Sequence, residues 1–164
     1  MGKPITIGLG VGAGIIWSFA LLWLAAHYVQ LPVFALMPTI MTAFFAPGLV
    51  MAVMMAVSVR QTWRDYPAGD IPPATTGGTL PRVIYDTACH LVLGLCIWPA
   101  AAVLLGGPGP GVIAILGAGL AVSRVVFWIG CYWSVGLRTF GLVSSLGPTL
   151  MVAIWALWIL MGRF

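Results

Sequence analysis

Five long apolar stretches dominate this chain, and they restrict it to one broad architecture. They cover residues 5–28, 38–59, 83–105, 111–134 and 140–161. Each holds 22 to 24 residues, and a helix needs about 20 residues to cross the hydrocarbon layer of a membrane. Charged residues make up 6% of the chain, whereas soluble proteins have about a quarter. The sequence therefore predicts an all-α integral membrane protein with five spans.

Basic residues outside the spans indicate how the chain is oriented. Five of these six lie in the N-terminal segment and in the second and fourth connections: Lys3, Arg60, Arg64, Arg82 and Arg138. The first and third connections, 29–37 and 106–110, carry no charge, and only Arg163 opposes the pattern. Because cytoplasmic loops are enriched in Lys and Arg, we expect the N-terminus in the cytoplasm and the C-terminus on the opposite side.

The net charge of +4 thus reports topology. No run of basic residues interleaved with aromatic residues is present, so the sequence does not indicate nucleic-acid binding. The lipid bilayer is the partner that the composition requires.

Two connections have a distinctive composition. Residues 60–82 form the longest polar stretch, and within it 70–81 is rich in Pro, Gly and Thr, which predicts an irregular, solvated loop. Residues 106–111 read Gly-Gly-Pro-Gly-Pro-Gly, which predicts a tight turn. The third and fourth spans should therefore form an antiparallel hairpin.

Arg124 is a permanent charge near the middle of the fourth span. Placing an arginine there costs roughly 2.5–3.5 kcal/mol on insertion scales. A membrane helix retains such a charge when it has a partner, a water-filled pocket or an anionic ligand. What Arg124 contacts is therefore central to the function.

A group of polar residues is predicted at the cytoplasmic side of the spans. Arg82, Asp86 and His90 follow one another at intervals of four and share one helical face, which Cys89 adjoins. Arg124 and Arg138 belong to the same leaflet in the predicted topology. Arginines outnumber carboxylates there, which favours an anionic ligand or an acidic partner. The alternative is structural: Asp86 neutralises Arg124, and the other arginines reach lipid headgroups.

The remaining reactive residues do not form a metal site. His27 and His90 are expected at different membrane depths, so they cannot ligate one haem iron. The three cysteines, Cys89, Cys96 and Cys131, all fall in spans without a Cys-x-x-Cys motif, and we interpret them as packing residues. Four alternating glycines of the first span are typical of close helix packing: Gly8, Gly10, Gly12 and Gly14.

Several motifs in the second half of the chain resemble a known family. They are Ser-Arg-Val-Val-Phe-Trp-Ile-Gly-Cys-Tyr at 123–132, Leu-Arg-Thr-Phe-Gly-Leu at 137–142 and Gly-Pro-Thr at 147–149. Together with Arg-Val-Ile-Tyr-Asp-Thr-Ala-Cys-His at 82–90, they resemble the membrane-associated proteins in eicosanoid and glutathione metabolism (MAPEG). The resemblance covers roughly 46–160.

This resemblance implies a four-helix membrane domain at 38–164, preceded by an extra N-terminal transmembrane helix and short loop at 1–37. It also implies a homotrimer that binds glutathione as a co-substrate and acts as a transferase or peroxidase on lipophilic electrophiles. The catalytic residues would be Arg124, which stabilises the glutathione thiolate, and Tyr132, a donor to its sulfur. The binding residues that the resemblance implies are Arg82, Asp86, Cys89, His90 and Arg138.

The chain departs from the family pattern at three positions. The family's asparagine is Asp86, its glutamate is Cys89, and its tyrosine is Cys131, with Tyr132 one place later. A shift of one residue along a helix rotates the side chain by about 100° around the helix axis, so Tyr132 is not equivalent in direction to the family's tyrosine. These departures keep a second hypothesis open: a non-catalytic subunit of the same fold that packs on other membrane proteins through its first helix. The packing of residues 5–28 should distinguish the two, and a channel has little support because no span repeats polar residues.

Overall fold

The computed structural model describes residues 3–29, 36–66 and 78–163. In these ranges the chain is helical and has no strand. The helices are α1 (Lys3–Tyr28), α2 (Leu36–Ala43), α3 (Phe45–Asp65), α4 (Thr79–Leu105), α5 (Gly109–Trp133) and α6 (Val135–Met161). Since α2 and α3 together make one apolar segment of 30 residues, five segments are long and apolar enough to cross a membrane. The prediction of an all-α chain with five segments able to span a membrane is confirmed.

The second span differs from its prediction because it is broken at Phe44 and extends further. Pro47 has no N–H, so the carbonyl of Ala43 lacks its usual partner within the helix. The ladder resumes where the Gly48 N–H donates to the Phe44 carbonyl at 3.0 Å. A side chain at Gly117 of α5 would overlap the Ala43 carbonyl oxygen, so the break packs closely on α5.

The predicted loop 60–82 is shorter than expected. α3 continues to Asp65 and α4 begins at Thr79, so both ends of that stretch are helical. α3 can extend beyond the predicted span because the charged side chains of its last turn are exposed and can reach water while the backbone stays helical. Residues 67–77, which include most of the turn-rich segment, lie outside the described residues.

Both tight connections bring neighbouring helices together as antiparallel hairpins. Between α4 and α5, Gly106 adopts a positive φ of 64°, which other residues rarely adopt, and the predicted turn is confirmed. Between α5 and α6 only Ser134 is non-helical, and its side chain accepts a hydrogen bond from the Leu137 N–H at 3.2 Å. Arg138, predicted in a connection, therefore lies in the first turn of α6.

The packing centre of the bundle is α5. It contacts every other helix and has more buried residues than any other described helix. Gly130 of α5 and Gly141 of α6 allow these two helices to approach each other closely, since a Cβ at either would fall within 2.6 Å of backbone atoms of the facing helix. This is the small-residue packing that membrane helices use in place of a hydrophobic driving force.

The first helix packs on the rest of the chain. α1 runs parallel to α6, with Gly10 against Gly136, Gly14 against Val143, and Ser18 against Gly147. At the other glycine pair of α1, Gly8 and Gly12, an added Cβ would have no neighbour within 4 Å among the described residues. The first span is thus part of the bundle, and one of its two glycine pairs accounts for that packing.

Exposed aromatic residues mark both ends of the bundle. We call the end where α1, α4 and α6 begin and α3 and α5 end the N-terminal side. Exposed there are Trp63, Tyr66, Tyr132 and Trp133, and at the opposite end Trp23, Tyr28 and Trp158. Tryptophan and tyrosine concentrate at membrane–water interfaces, so these two sets are consistent with a bundle that crosses the bilayer.

Candidate functional site

A cavity of about 450 Å³ opens at the N-terminal side between α4, α5 and α6. On each helix, two of the lining residues are spaced by four positions, one helical turn apart on the same face. The six are Arg82 and Asp86 of α4, Phe127 and Cys131 of α5, and Arg138 and Leu142 of α6. The same spacing on three helices produces a cavity with a polar mouth and partly apolar walls.

Arg124 lies beside this cavity, fully buried, with 0% of its surface exposed. Its Nη1 donates to Asp86 Oδ2 at 2.6 Å, and its Nη2 donates to Ser145 Oγ of α6. The guanidinium carbon lies 5.1 Å from the centre of the Phe127 ring. The sequence alone did not define a partner for Arg124. In the structure its guanidinium, on α5, links α4 and α6 through these two hydrogen bonds.

The Asp86 side chain contacts the buried Arg124 and also lines the cavity. Its Oδ2 holds the buried guanidinium of Arg124, while the side chain, 32% exposed, also lines the cavity. A carboxylate can accept hydrogen bonds at both oxygens, and the ion pair with Arg124 occupies Oδ2. Oδ1 is left to accept a hydrogen bond from a ligand.

His90 lies one turn deeper in the bundle than Asp86 and does not line the cavity. Its Nδ1 is 2.7 Å from the Asp86 carbonyl oxygen and 3.8 Å from Asp86 Oδ2. A carbonyl oxygen only accepts, so Nδ1 carries a proton and donates. In the described part of the chain, Nε2 is buried without a hydrogen-bond partner. His90 thus supports the backbone of Asp86 from behind.

Arg82 and Arg138 give the cavity its charge. Among the described residues, neither has a carboxylate within 4.0 Å. Asp86 is paired with Arg124, and Asp65 is paired with Arg64 at 3.1 Å on the surface of α3. The chain's third acidic residue, Asp70, lies outside the described residues. Two guanidinium groups are therefore available to an anion in the cavity.

Like His90, two further predicted site residues do not line the cavity. Cys89 is exposed on α4 and does not line the cavity. Tyr132 lines a separate groove, on the side of α5 that faces α3. Because one residue turns a helical side chain by about 100°, Cys131 occupies the cavity wall and Tyr132 does not. All three cysteines are free thiols.

The sequence reasoning missed Ser145 and Phe127, which contact the Arg124 guanidinium. A signal for both was present. Phe127 follows Arg124 by three positions, and Ser145 follows Arg138 by seven, so each shares a helical face with a residue already selected.

Neither a metal site nor a known relative identifies the cavity. In the ranges that the structure describes, no group of three His, Cys, Asp or Glu side chains could hold a metal ion. His27 lies in the last turn of α1, at the opposite end of the bundle from the cavity. Comparisons with protein-family models, with curated proteins and with solved structures found no match. The fold and the site together define a helical membrane protein with a cation-lined cavity at one membrane face.

Proposed function

We propose that this chain is a membrane-embedded, glutathione-dependent transferase or peroxidase whose co-substrate binds in the cavity of Arg82, Asp86 and Arg138. The observation that carries the proposal is the charge of that cavity. Its one carboxylate already balances Arg124, so the two exposed arginines have no acidic partner in the described chain. Unbalanced arginines at a partly buried membrane site favour an anionic ligand.

Glutathione matches this arrangement in charge. It has two carboxylates and one ammonium group. Arg82 and Arg138 can each bind a carboxylate through paired N–H donors, and the Oδ1 atom of Asp86 can accept a hydrogen bond from the ammonium group. The MAPEG resemblance of the motifs at 82–90, 123–132 and 137–142 points to the same ligand.

The geometry suggests how the thiol would be activated. Arg124 is fully buried and donates to Asp86 and Ser145, so its proposed role becomes positioning: it holds Asp86 against the cavity. Arg138 lines the cavity together with Cys131. While it binds one carboxylate of glutathione, its positive charge would also favour the thiolate, which is the attacking nucleophile. The thiolate, its proton released to water, would then attack an electrophilic carbon of a lipophilic substrate that reaches the site from the bilayer, and the carbon–sulfur bond would form as a leaving group such as chloride departs. In the peroxidase reaction the thiolate would attack a peroxide oxygen, the O–O bond would break to release the alcohol, and a second glutathione would convert the sulfenic acid to the disulfide and water.

Orientation and assembly complete the proposal. We place the N-terminal side in the cytoplasm, where the glutathione pool lies, because Arg60, Arg64, Arg82 and Arg138 are all at that side. The C-terminus would lie on the opposite side. From the family resemblance we also propose a homotrimer, which the mass of the detergent-solubilised protein in native mass spectrometry would test.

The second candidate is a non-catalytic subunit of a larger membrane complex. Gly8 and Gly12 favour this candidate. They form a face of α1 without side chains, and an added Cβ at either position would meet no neighbour among the described residues. A GxxxG pair of this kind packs well against a partner helix. The docking of the opposite face of α1 onto α6 makes this helix part of the protomer, so only the Gly8 and Gly12 face remains for such a partner.

Calorimetric titration of glutathione into the detergent-purified protein tests the first proposal. Arg82→Gln and Arg138→Gln should each weaken binding by about 10- to 100-fold, the range for a hydrogen bond to a charged group. Arg60→Gln is the matched control, because Arg60 is exposed on α3 and does not line the cavity. Conjugation of glutathione to 1-chloro-2,4-dinitrobenzene, followed by absorbance, separates an enzyme from a protein that only binds.

The absence of any heat of binding at millimolar glutathione, in protein that still unfolds cooperatively, would overturn the proposal. Equal losses in the Arg60→Gln control would also contradict it, because the cavity would then have no special role.

A further inference from the structure

A second concave site lies on the side of α5 that faces α3. It is a groove of about 440 Å³ lined by Gln61, Trp128, Ile129, Tyr132 and Trp133. It shares no lining residue with the arginine cavity. Two indole rings, a phenol ring and an aliphatic side chain form its walls, so the surface that it offers is mostly apolar.

The groove begins at the membrane interface. Tyr132 and Trp133 are the last two residues of α5, and Gln61 lies in the last turns of α3. Trp128 and Ile129 lie about one turn further into the bundle. Exposed tryptophan and tyrosine rings favour the headgroup level of a bilayer. The groove therefore runs from the headgroup region into the hydrocarbon layer, where an acyl chain would enter it.

The polar end of the groove is positively charged. Arg64 follows Gln61 by three positions, which places it on the same face of α3, nearer to water. Its Nε donates to Asp65 at 3.1 Å, and both side chains of this pair are largely exposed. An exposed pair of this kind contributes little free energy, so the terminal nitrogens of Arg64 remain able to bind a phosphate. Arg60 precedes Arg64 by four positions, so it adds a second positive charge on the Arg64 face of α3.

We propose that this groove binds one anionic phospholipid. One of its two acyl chains lies against Trp128, Ile129 and Trp133, and its phosphate binds Arg64 and Arg60 at the end of the groove that Gln61 lines. Among the described residues, Arg60 and Arg64 against Asp65 leave the end of α3 next to the groove with a net positive charge, which complements an anionic headgroup at the membrane surface. This site also accounts for Tyr132, which does not line the arginine cavity.

Native mass spectrometry of the full-length protein tests the proposal. The detergent-purified chain is incubated with equal amounts of dioleoylphosphatidylglycerol and dioleoylphosphatidylcholine, and the lipid that stays bound is counted. We expect one phosphatidylglycerol to be retained in preference to phosphatidylcholine. Replacing both arginines (Arg60→Gln with Arg64→Gln) should reduce this preference by about fivefold per arginine, the size of effect of one basic residue near an anionic surface.

Two matched control variants change residues at the opposite end of the bundle. Arg163→Gln removes an exposed charge there, and Trp158→Ala removes an aromatic ring that is 73% exposed, comparable with Trp133 at 81%. Neither should change lipid retention, whereas Trp133→Ala should reduce it for both lipids.

Three results would overturn the proposal. They are equal retention of both lipids by the unaltered protein, equal losses in the groove and control variants, and release of all lipid on mild collisional activation, which indicates annular lipid only. Glutathione binding is measured in the arginine cavity by calorimetry, so its failure would leave this result unaffected.

Discussion

Asp86 Oδ2 lies 2.6 Å from Arg124 Nη1, joining α4 to α5 inside the bundle. The same carboxylate forms part of the wall of the arginine cavity. Stability and ligand binding therefore depend on one side chain. A change at Asp86 is expected to affect both, whereas a change at Arg82 or Arg138 should affect binding alone.

We expect Asp86→Asn to destabilise the protein by about 3 kcal/mol, because it leaves the buried guanidinium of Arg124 without a counter-charge. The thermal unfolding temperature in detergent, followed by circular dichroism, measures this loss. Asp65→Asn is the matched control, since it removes an exposed ion pair and should cost at most about 1 kcal/mol.

The double variant Asp86→Asn with Arg124→Gln sharpens this test. Once the buried charge is gone, the neutral side chains can hydrogen-bond to each other, so the double variant should be more stable than Asp86→Asn alone. Additive losses would show that Arg124 and Asp86 do not depend on each other.

Cys131 should react with water-soluble thiol reagents through the arginine cavity. In a variant with Cys89→Ala and Cys96→Ala, we expect an anionic methanethiosulfonate to modify Cys131 faster than a neutral one, because positively charged clefts concentrate anions. Arg138→Gln should slow the anionic reagent by up to about tenfold and leave the neutral reagent unchanged. Mass spectrometry of the intact protein follows both rates, and equal slowing of both reagents would argue against an electrostatic effect.

The two glycine pairs of α1 should respond differently to a methyl group. Gly10→Ala places a Cβ within 2.6 Å of the Gly136 carbonyl oxygen, and overpacking of this kind costs about 1–3 kcal/mol. Gly8→Ala meets nothing within 4 Å in the described chain, so we expect unchanged stability or a gain of up to about 1 kcal/mol from helix propensity. Unfolding temperatures of the two variants make the comparison, and similar losses at both positions would mean that Gly8 also packs on a partner.

The proposed orientation can be tested with reporters at the two ends of the chain. A fluorescent protein that matures only in the cytoplasm should be bright when fused before Met1 and dark when fused after Phe164. Adding two lysines to the uncharged turn at Gly107 should weaken this bias, because the difference between the two sides in Lys and Arg sets orientation. Fluorescence at both termini would contradict an odd number of spans.

The length and apolar character of the spans were sufficient to predict five membrane segments, because a bilayer leaves few alternatives to helices. The break at Phe44 was harder. Pro47 is visible in the sequence, yet Pro99 and Pro148 lie inside unbroken helices. The carbonyl that Pro47 leaves free packs closely on Gly117 of another helix, a contact that the sequence does not reveal.

In the candidate site, too, some features could be predicted from the sequence and others could not. Arg82, Asp86 and Arg138 could be selected because charge is scarce in the spans and helical spacing groups them. The exclusion of Tyr132 from the cavity follows from its angle on α5, which the spacing from Arg124 already indicated. The bond from Arg124 to Ser145 could not be predicted as such, since it depends on how α5 and α6 align after the single-residue turn at Ser134.

That turn bears on how the chain enters a membrane. With only Ser134 between them, α5 and α6 leave the ribosome as one continuous apolar length that folds back on itself. An isolated α5 would present Arg124 to lipid, a costly state during insertion. If both helices partition together, Ser145 can cover the guanidinium before Asp86 of α4 docks. The shortest connection between two spans would then let the chain tolerate, during insertion, the charge on which the finished site depends.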